Sequence, residues 1–198
     1  MKQQLFYLLL LLLFCGSACQ EPETTSEVES EGIALFQKEA EDWTESGVAD
    51  WTFENGTIIG TSLDSSGFLI TKTAYSDFVL ELEFYPDSTV NSGVFIRCQT
   101  EDMNAETCDE INIWDLHPNQ GFRTGALVTK AEPLATVHTL NQWNTYRIRS
   151  EGEHVQAWVN DTMTIDYRDT LLGSGLIGLQ AGGTGTIKFR NVQLTPLE

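Results

Sequence analysis

An all-β, two-sheet sandwich is the fold this sequence predicts. Three observations carry it: short segments in which apolar and polar residues alternate, turn signals between them, and no long helical periodicity after residue 45. Residues 33–42 suit a turn of helix. After them, Phe78, Leu80, Leu82 and Phe84 alternate with Val79, Glu81 and Glu83, the period of a half-buried strand. Val94 and Ile96 alternate with Phe95 and Arg97, so Phe95 and Arg97 are expected on one face. Ile111 and Ile113 alternate with Glu110, Asn112 and Trp114. Tyr146 and Ile148 alternate with Arg147 and Arg149, and Val155, Ala157 and Val159 with His154, Gln156, Trp158 and Asn160. Ile187 and Phe189 close the series against Lys188 and Arg190. Asn55-Gly56, Pro86-Asp87, Asn91-Ser92-Gly93, Asn119-Gln120-Gly121, Gly173-Ser174-Gly175 and Gly182-Gly183 supply the turns. Many short strands at this spacing read as a sandwich or jelly roll, in which one face of each sheet is buried and the other meets water or ligand.

Ahead of the strands the chain reads as a targeting segment and a tether. Lys2 precedes an unbroken apolar run over residues 5–14, too short for a span of about 20 residues and suited to a signal peptide. Gly16, Ser17 and Ala18 lead to Cys19, an arrangement that resembles a bacterial lipoprotein signal, with residues 1–18 removed and Cys19 lipidated. Residues 20–31 are acidic and polar, without apolar periodicity, and read as a flexible tether. The expected organisation is signal 1–18, lipidated cysteine and tether 19–32, and a β-sandwich domain over 33–198. The expected location is the bacterial outer membrane, on its periplasmic or surface face, with the lipid as the sole membrane contact. The net charge of −18 becomes −19 once Lys2 is lost, which excludes nucleic acid or anionic lipid bound through a basic footprint. Of four cysteines, Cys15 leaves with the signal and Cys19 carries lipid. Cys98 and Cys108 remain, and an oxidising compartment pairs them. A lone pair of cysteines without a CxxC partner is a poor zinc set.

Several blocks, taken in order over residues 50–195, resemble the 3-keto-disaccharide hydrolase family, also described as the 3-keto-glucoside 1,2-lyase and 3-keto-2-hydroxyglucal hydratase domain. They are Asn55-Gly56-Thr57, then Tyr75 to Leu80 leading to Glu83-Phe84, then Asn91-Ser92-Gly93-Val94-Phe95-Ile96-Arg97. Asp109-Glu110-Ile111-Asn112-Ile113-Trp114-Asp115 follows, with Thr124-Gly125-Ala126-Leu127, Gln142-Trp143-Asn144 and Trp158-Val159-Asn160 behind it. Gly178-Leu179-Gln180 and Phe189-Arg190-Asn191-Val192 complete the set. The resemblance implies a concanavalin-like jelly roll acting on glycosides already oxidised to a ketone at C3. Such a ketone acidifies the C2 proton. A base can remove it, the enolate expels the C1 substituent, and water adds back to the unsaturated sugar. That chemistry needs a base of tuned pKa, a donor for the enolate oxygen and groups that position the sugar.

The resemblance aligns Glu110 and Asp115 with the family's acidic motif, where Asn112 replaces a glutamine. The expected catalytic residues are Glu110, Asp115 and His117. Arg97, Asn112, Trp114 and His138 are the expected substrate-binding residues: Arg97 holds a sugar oxygen or the enolate, and Trp114 stacks on a sugar face. Glu110 and Asp115 are also the candidate ligands of a divalent metal such as Ca²⁺, though no motif demands a cofactor. Pattern alone also allows plainer roles. Glu110, Asn112 and Trp114 suit a solvent face, Arg97 and Glu110 a cross-strand ion pair, and His117 a loop position before Pro118. His154 falls on an ordinary strand pattern. Two departures bear on activity. Many family members carry a histidine shortly after the Leu-Gln pair, where this chain has Ala181-Gly182-Gly183, and an Asn-Gly turn has become Asn160-Asp161. A sugar-binding module without turnover is therefore the competing expectation.

Overall fold

The computed structural model describes residues 32–168 and 172–197. The signal segment, Cys19 and the tether up to residue 31 lie outside the described residues. Thirteen strands are described: β1 (Ile33–Ala34), β2 (Trp43–Gly47), β3 (Asp50–Glu54), β4 (Thr57–Thr61), β5 (Gly67–Thr71), β6 (Phe78–Pro86), β7 (Val90–Cys98), β8 (Asp109–Ile113), β9 (Asn144–Glu151), β10 (His154–Val159), β11 (Thr162–Arg168), β12 (Leu176–Gly183) and β13 (Thr186–Pro196). Residues 33–42 contain the two-residue β1 and turns rather than a turn of helix. The helical turn among the described residues is a short 3₁₀ segment at Gln120–Phe122. Leu35 and Phe36 are buried there and the backbone of Leu35 bonds Val192, so docking onto β13 prevails over local helix formation.

The strands form two antiparallel sheets. The larger runs β11-β10-β9-β6-β13-β4-β3, with β1 also on β13. The smaller runs β2-β5-β12-β7-β8. Alternation explains the burial: in β6 and β10 every second residue faces the other sheet, and Phe78, Leu80, Leu82, Phe84, Val155, Ala157 and Val159 enter one core with Val94, Ile96, Ile111 and Leu179 of the smaller sheet. The edge strand β8 is covered by its own return segment, in which Val128 N–H bonds Glu110 O and Gly125 N–H bonds Asn112 O. The β10–β11 turn keeps both central residues, Asn160 and Asp161, at positive φ (47° and 62°), as a type I′ hairpin requires. The exchange of Asn-Gly for Asn-Asp therefore leaves the turn intact. The two-sheet jelly roll expected from the sequence is the fold observed.

One expected face is overturned. Arg97 does not share the outer face of β7 with Phe95. It takes a left-handed conformation (φ 54°), and the β12–β7 register shifts beside it, pairing Phe95 with Gly178 but Cys98 with Leu176. This bulge turns the side chain inward, where it is 1% exposed. Its Nε donates to Ser150 Oγ at 2.8 Å, Nη1 to Leu172 O at 3.1 Å and Nη2 to Gly152 O at 2.5 Å. Arg97 is thus a fastener between the sheets, not an anchor for a sugar or enolate oxygen. Its cross-strand pairing with Glu110 is absent too, because Phe95 is the residue opposite Glu110.

Candidate functional site

The outer face of the smaller sheet carries a second apolar cluster, Ile70, Phe95, Met103, Cys98 and Cys108, separate from the core between the sheets. Register places its side chains in rows. One row is Ile70, Gly178, Phe95 and Glu110, one strand each from β5, β12, β7 and β8. A second contains Phe68 opposite Gln180, with Gly93 opposite Asn112, and a third contains Gly182 opposite Asn91. The glycines lower the floor between bulkier neighbours. A Cβ on Gly93 would stand 3.5 Å from Glu110 Cγ, and one on Gly178 would stand 3.1 Å from Met103 Sδ. The expected disulfide joins Cys98 to Cys108 and clasps the loop that carries Met103.

Glu110 is the ionisable group this face perturbs most. Burial disfavours its charged form and raises its carboxyl from the usual range to about 7. Among the described residues no hydrogen bond or ion pair holds that carboxyl group. Asn112 is buried beside it with its amide engaged locally: Nδ2 donates to Phe122 O and Oδ1 accepts from Ile113 N–H. Trp114 is half-buried just beyond β8, edge-on to His117 with ring centroids 4.5 Å apart, and Phe122 lies edge-on to His117 at 5.7 Å. His117 Nδ1 lies 3.0 Å from Asn119 N and 2.7 Å from Asn119 O, which occupies that nitrogen in either tautomer and leaves Nε2 for another partner.

Asp115 is placed differently. Its two oxygens accept the N–H of Thr139 at 2.7 Å and the hydroxyl of Thr139 at 2.8 Å. Thr139 O accepts from Asn144, whose Oδ1 accepts from Asn160. This buried chain holds the loop bearing Trp114 and His117 against the larger sheet. His138 lies on the adjoining loop with an exposed side chain, and its carbonyl accepts from Gln142. His154 pairs with Asp166 on the larger sheet. Thr139 engages each oxygen of Asp115 with one hydrogen bond. No group of three or more His, Cys, Asp or Glu side chains among the described residues is arranged to hold a metal.

Gln180 joins the site although pattern reading did not single it out. It is 7% exposed, Nε2 donates to Ser66 Oγ at 3.2 Å, and Oε1 has no partner among the described residues. The signal lay inside the quoted Gly178-Leu179-Gln180 block, but an orphaned oxygen is visible only in three dimensions. Gly182 lies in the Ala181-Gly182-Gly183 stretch that follows Gln180. A Cβ there would meet Ser66 Oγ at 2.6 Å. Two cavities open on the larger sheet, of about 250 and 360 Å³, and each borders the Arg190–Asn191 bulge of β13. Arg190 donates to Glu83 and stacks 4.0 Å over Trp143, and that bond is the main cause holding Glu83 below the usual carboxylate range.

A sequence profile described as the 3-keto-alpha-glucoside-1,2-lyase-like domain matches residues 31–195. No curated protein matches the chain. Among solved structures, a protein provisionally named a glycosyl hydrolase from Parabacteroides distasonis superposes with a TM-score of 0.75 at 23% identity, over 85% of this chain and 100% of that one. A second protein so named from the same organism gives 0.65 at 18% identity, over 75% and 84%. The carbohydrate-binding module CBM66 from Bacillus subtilis gives 0.62 at 20% identity, over 78% and 95%. At these identities the likeness to solved structures establishes the fold.

Proposed function

Because the chain belongs to the 3-keto-alpha-glucoside-1,2-lyase-like domain family, whose function is carbohydrate-related, we propose that it cleaves 3-keto-glycosides on the outer face of its smaller sheet. The single observation that carries this reading is Glu110: a half-buried side chain whose carboxyl is raised to about 7, beside a glycine-lowered floor, with no partner among the described residues. A base of that strength suits removal of a C2 proton made acidic by the C3 ketone. The C2–H electrons pass into the enolate and the proton to Glu110. Collapse of the enolate forms the C1=C2 bond and expels the C1 substituent, which takes a proton on leaving. Water then adds across that double bond, giving net hydrolysis. With Arg97 buried elsewhere, His117 Nε2 becomes the candidate donor to the enolate or the leaving group. Trp114 offers the stacking face. Cys19 carries the lipid that holds the domain at the outer membrane, with the acidic tether as spacer.

A second reading, a binding module without turnover, is favoured by one observation. The stretch Ala181-Gly182-Gly183 carries no histidine, and a Cβ at Gly182 would stand 2.6 Å from Ser66 Oγ and 3.0 Å from Asn91 O. The deciding experiment is incubation of the protein with a 3-keto-glucoside and with its unoxidised parent. Release of the leaving group from the keto form alone is the expected result. Binding of both compounds without release from either would establish the module instead.

A further inference from the structure

The outer face of the smaller sheet is not open along its whole length. Cys98 and Cys108 are bonded, and the loop 99–107 between them folds back over the sheet. Most of that loop is exposed, but Met103 is 7% exposed and belongs to the apolar cluster with Phe95 and Ile70. Its sulfur lies 3.8 Å from Cys108 Sγ and above Gly178, where even a methyl group would crowd it at 3.1 Å. The loop is also fixed internally. Asn104 accepts the N–H groups of Glu106 and Thr107 on its side chain and that of Cys108 on its carbonyl. Gln99 N–H bonds Thr107 O, and Gln99 Nε2 reaches Ser174 O at 3.1 Å. A segment tied by a disulfide and by its own hydrogen bonds is a standing wall rather than a closing lid.

We propose that this disulfide-clasped loop is an end wall that restricts the site to the terminal unit of a glycoside. Met103 packs over Gly178 in the row that ends at Glu110, so a ring with its C2 over Glu110 meets the wall on that side. The open side holds Gln180, Gly93 and Asn91, and the rest of the ligand lies there. A unit within a longer chain needs room on both sides, and the wall denies it one. The inference rests on the sugar-processing reading of Glu110 and adds which sugar unit is accepted.

The test compares two glucose trisaccharides, one with the 3-keto group on the non-reducing terminal unit and one with it on the middle unit. Turnover of both is measured for the wild-type protein, for Met103→Ala, and for a variant whose residues 100–106 are shortened to three glycines with both cysteines kept. Thermal unfolding verifies each fold. The wild type is expected to prefer the terminal form by roughly 100-fold, the order that a steric clash in a packed site imposes. At least one folded variant should lower that ratio about tenfold, since the steric term is then removed. Equal use of both trisaccharides by the wild type, or a ratio unmoved in both folded variants, overturns the wall. If neither compound is turned over, the chemistry proposed for Glu110 fails and calorimetric binding judges the wall alone. Tighter binding of the terminal form, relaxed by either variant, upholds it. Equal binding, or none, overturns it.

Discussion

At position 110 the carboxyl group titrates well above a solvated glutamate, and function and stability pull on it in opposite directions. Proton abstraction requires the ionised form, so kcat/KM should rise with pH up to about 7 and level off above it, while Glu110→Gln should lower turnover by about 10²–10⁴-fold. For stability the folded-state value lies above the unfolded one, so the folded protein holds the proton across the window from the ordinary glutamate value of 4.5 to about 7. Stability therefore declines as pH rises through that window, with the full cost above it. Replacement by Gln removes this cost. The variant should exceed wild type by on the order of 2–3 kcal/mol at pH 8 and by nothing near pH 4, as measured by urea unfolding at each pH. Arg97 behaves otherwise. Arg97→Met strands Ser150, Gly152 and Leu172 and should cost about 3 kcal/mol. Arg97→Lys recovers only part, because an ammonium cannot span the same fork. Since Arg97 fastens sheets, the folded fraction of either variant should keep the wild-type KM for the keto-glucoside; a raised KM would return the residue to the binding site.

Among the elements, the disulfide loop and β12 form the most testable pair. Removing the bond with Cys98→Ser and Cys108→Ser should lower stability by about 2–3 kcal/mol for a loop this short. Gly178→Ala should cost about 1 kcal/mol alone and less in a Met103→Ala background. The coupling read from that double-mutant cycle reports the Met103–Gly178 contact directly. The same elements separate what the sequence discloses from what it hides. β6, β9, β10 and β13 are legible because each buries alternate side chains over six or more residues. The strands β2 to β5 are not, being five residues each, rich in Thr, Gly and Glu, and partly at sheet edges where burial is weak. β7 is legible as far as Ile96, and Arg97 departs from the face that alternation predicts. Strict alternation fails at a bulge, and nothing in the letters around Arg97 announces a positive φ. For the site, Glu110 and Trp114 follow from alternation and the family motif, and the disulfide from cysteine arithmetic. The engagement of Asp115 by Thr139 and the orphaned oxygen of Gln180 join segments too distant in sequence for any local pattern to reveal.

For the molecule as a whole, burial and cross-links act on different seams. The apolar core joins the sheets along their length, while polar groups fasten them at separate points. Arg97 of β7 grips Ser150 and the Gly152 turn, and Tyr146 of β9 donates to Asn112 O at 2.9 Å on β8. The net charge of −18 opposes compaction at every point of the surface, so the resistance to parting comes from these internal contacts. That arrangement governs how the protein breathes. If the buried guanidinium locks one end of the sandwich, amide protons of β7 and β9 cannot exchange with solvent independently. They should exchange at one common rate, as a single cooperative opening unit. Deuterium uptake in Arg97→Met should then separate the two strands, with β9 amides near Ser150 exchanging first and those near Tyr146 keeping the slower rate.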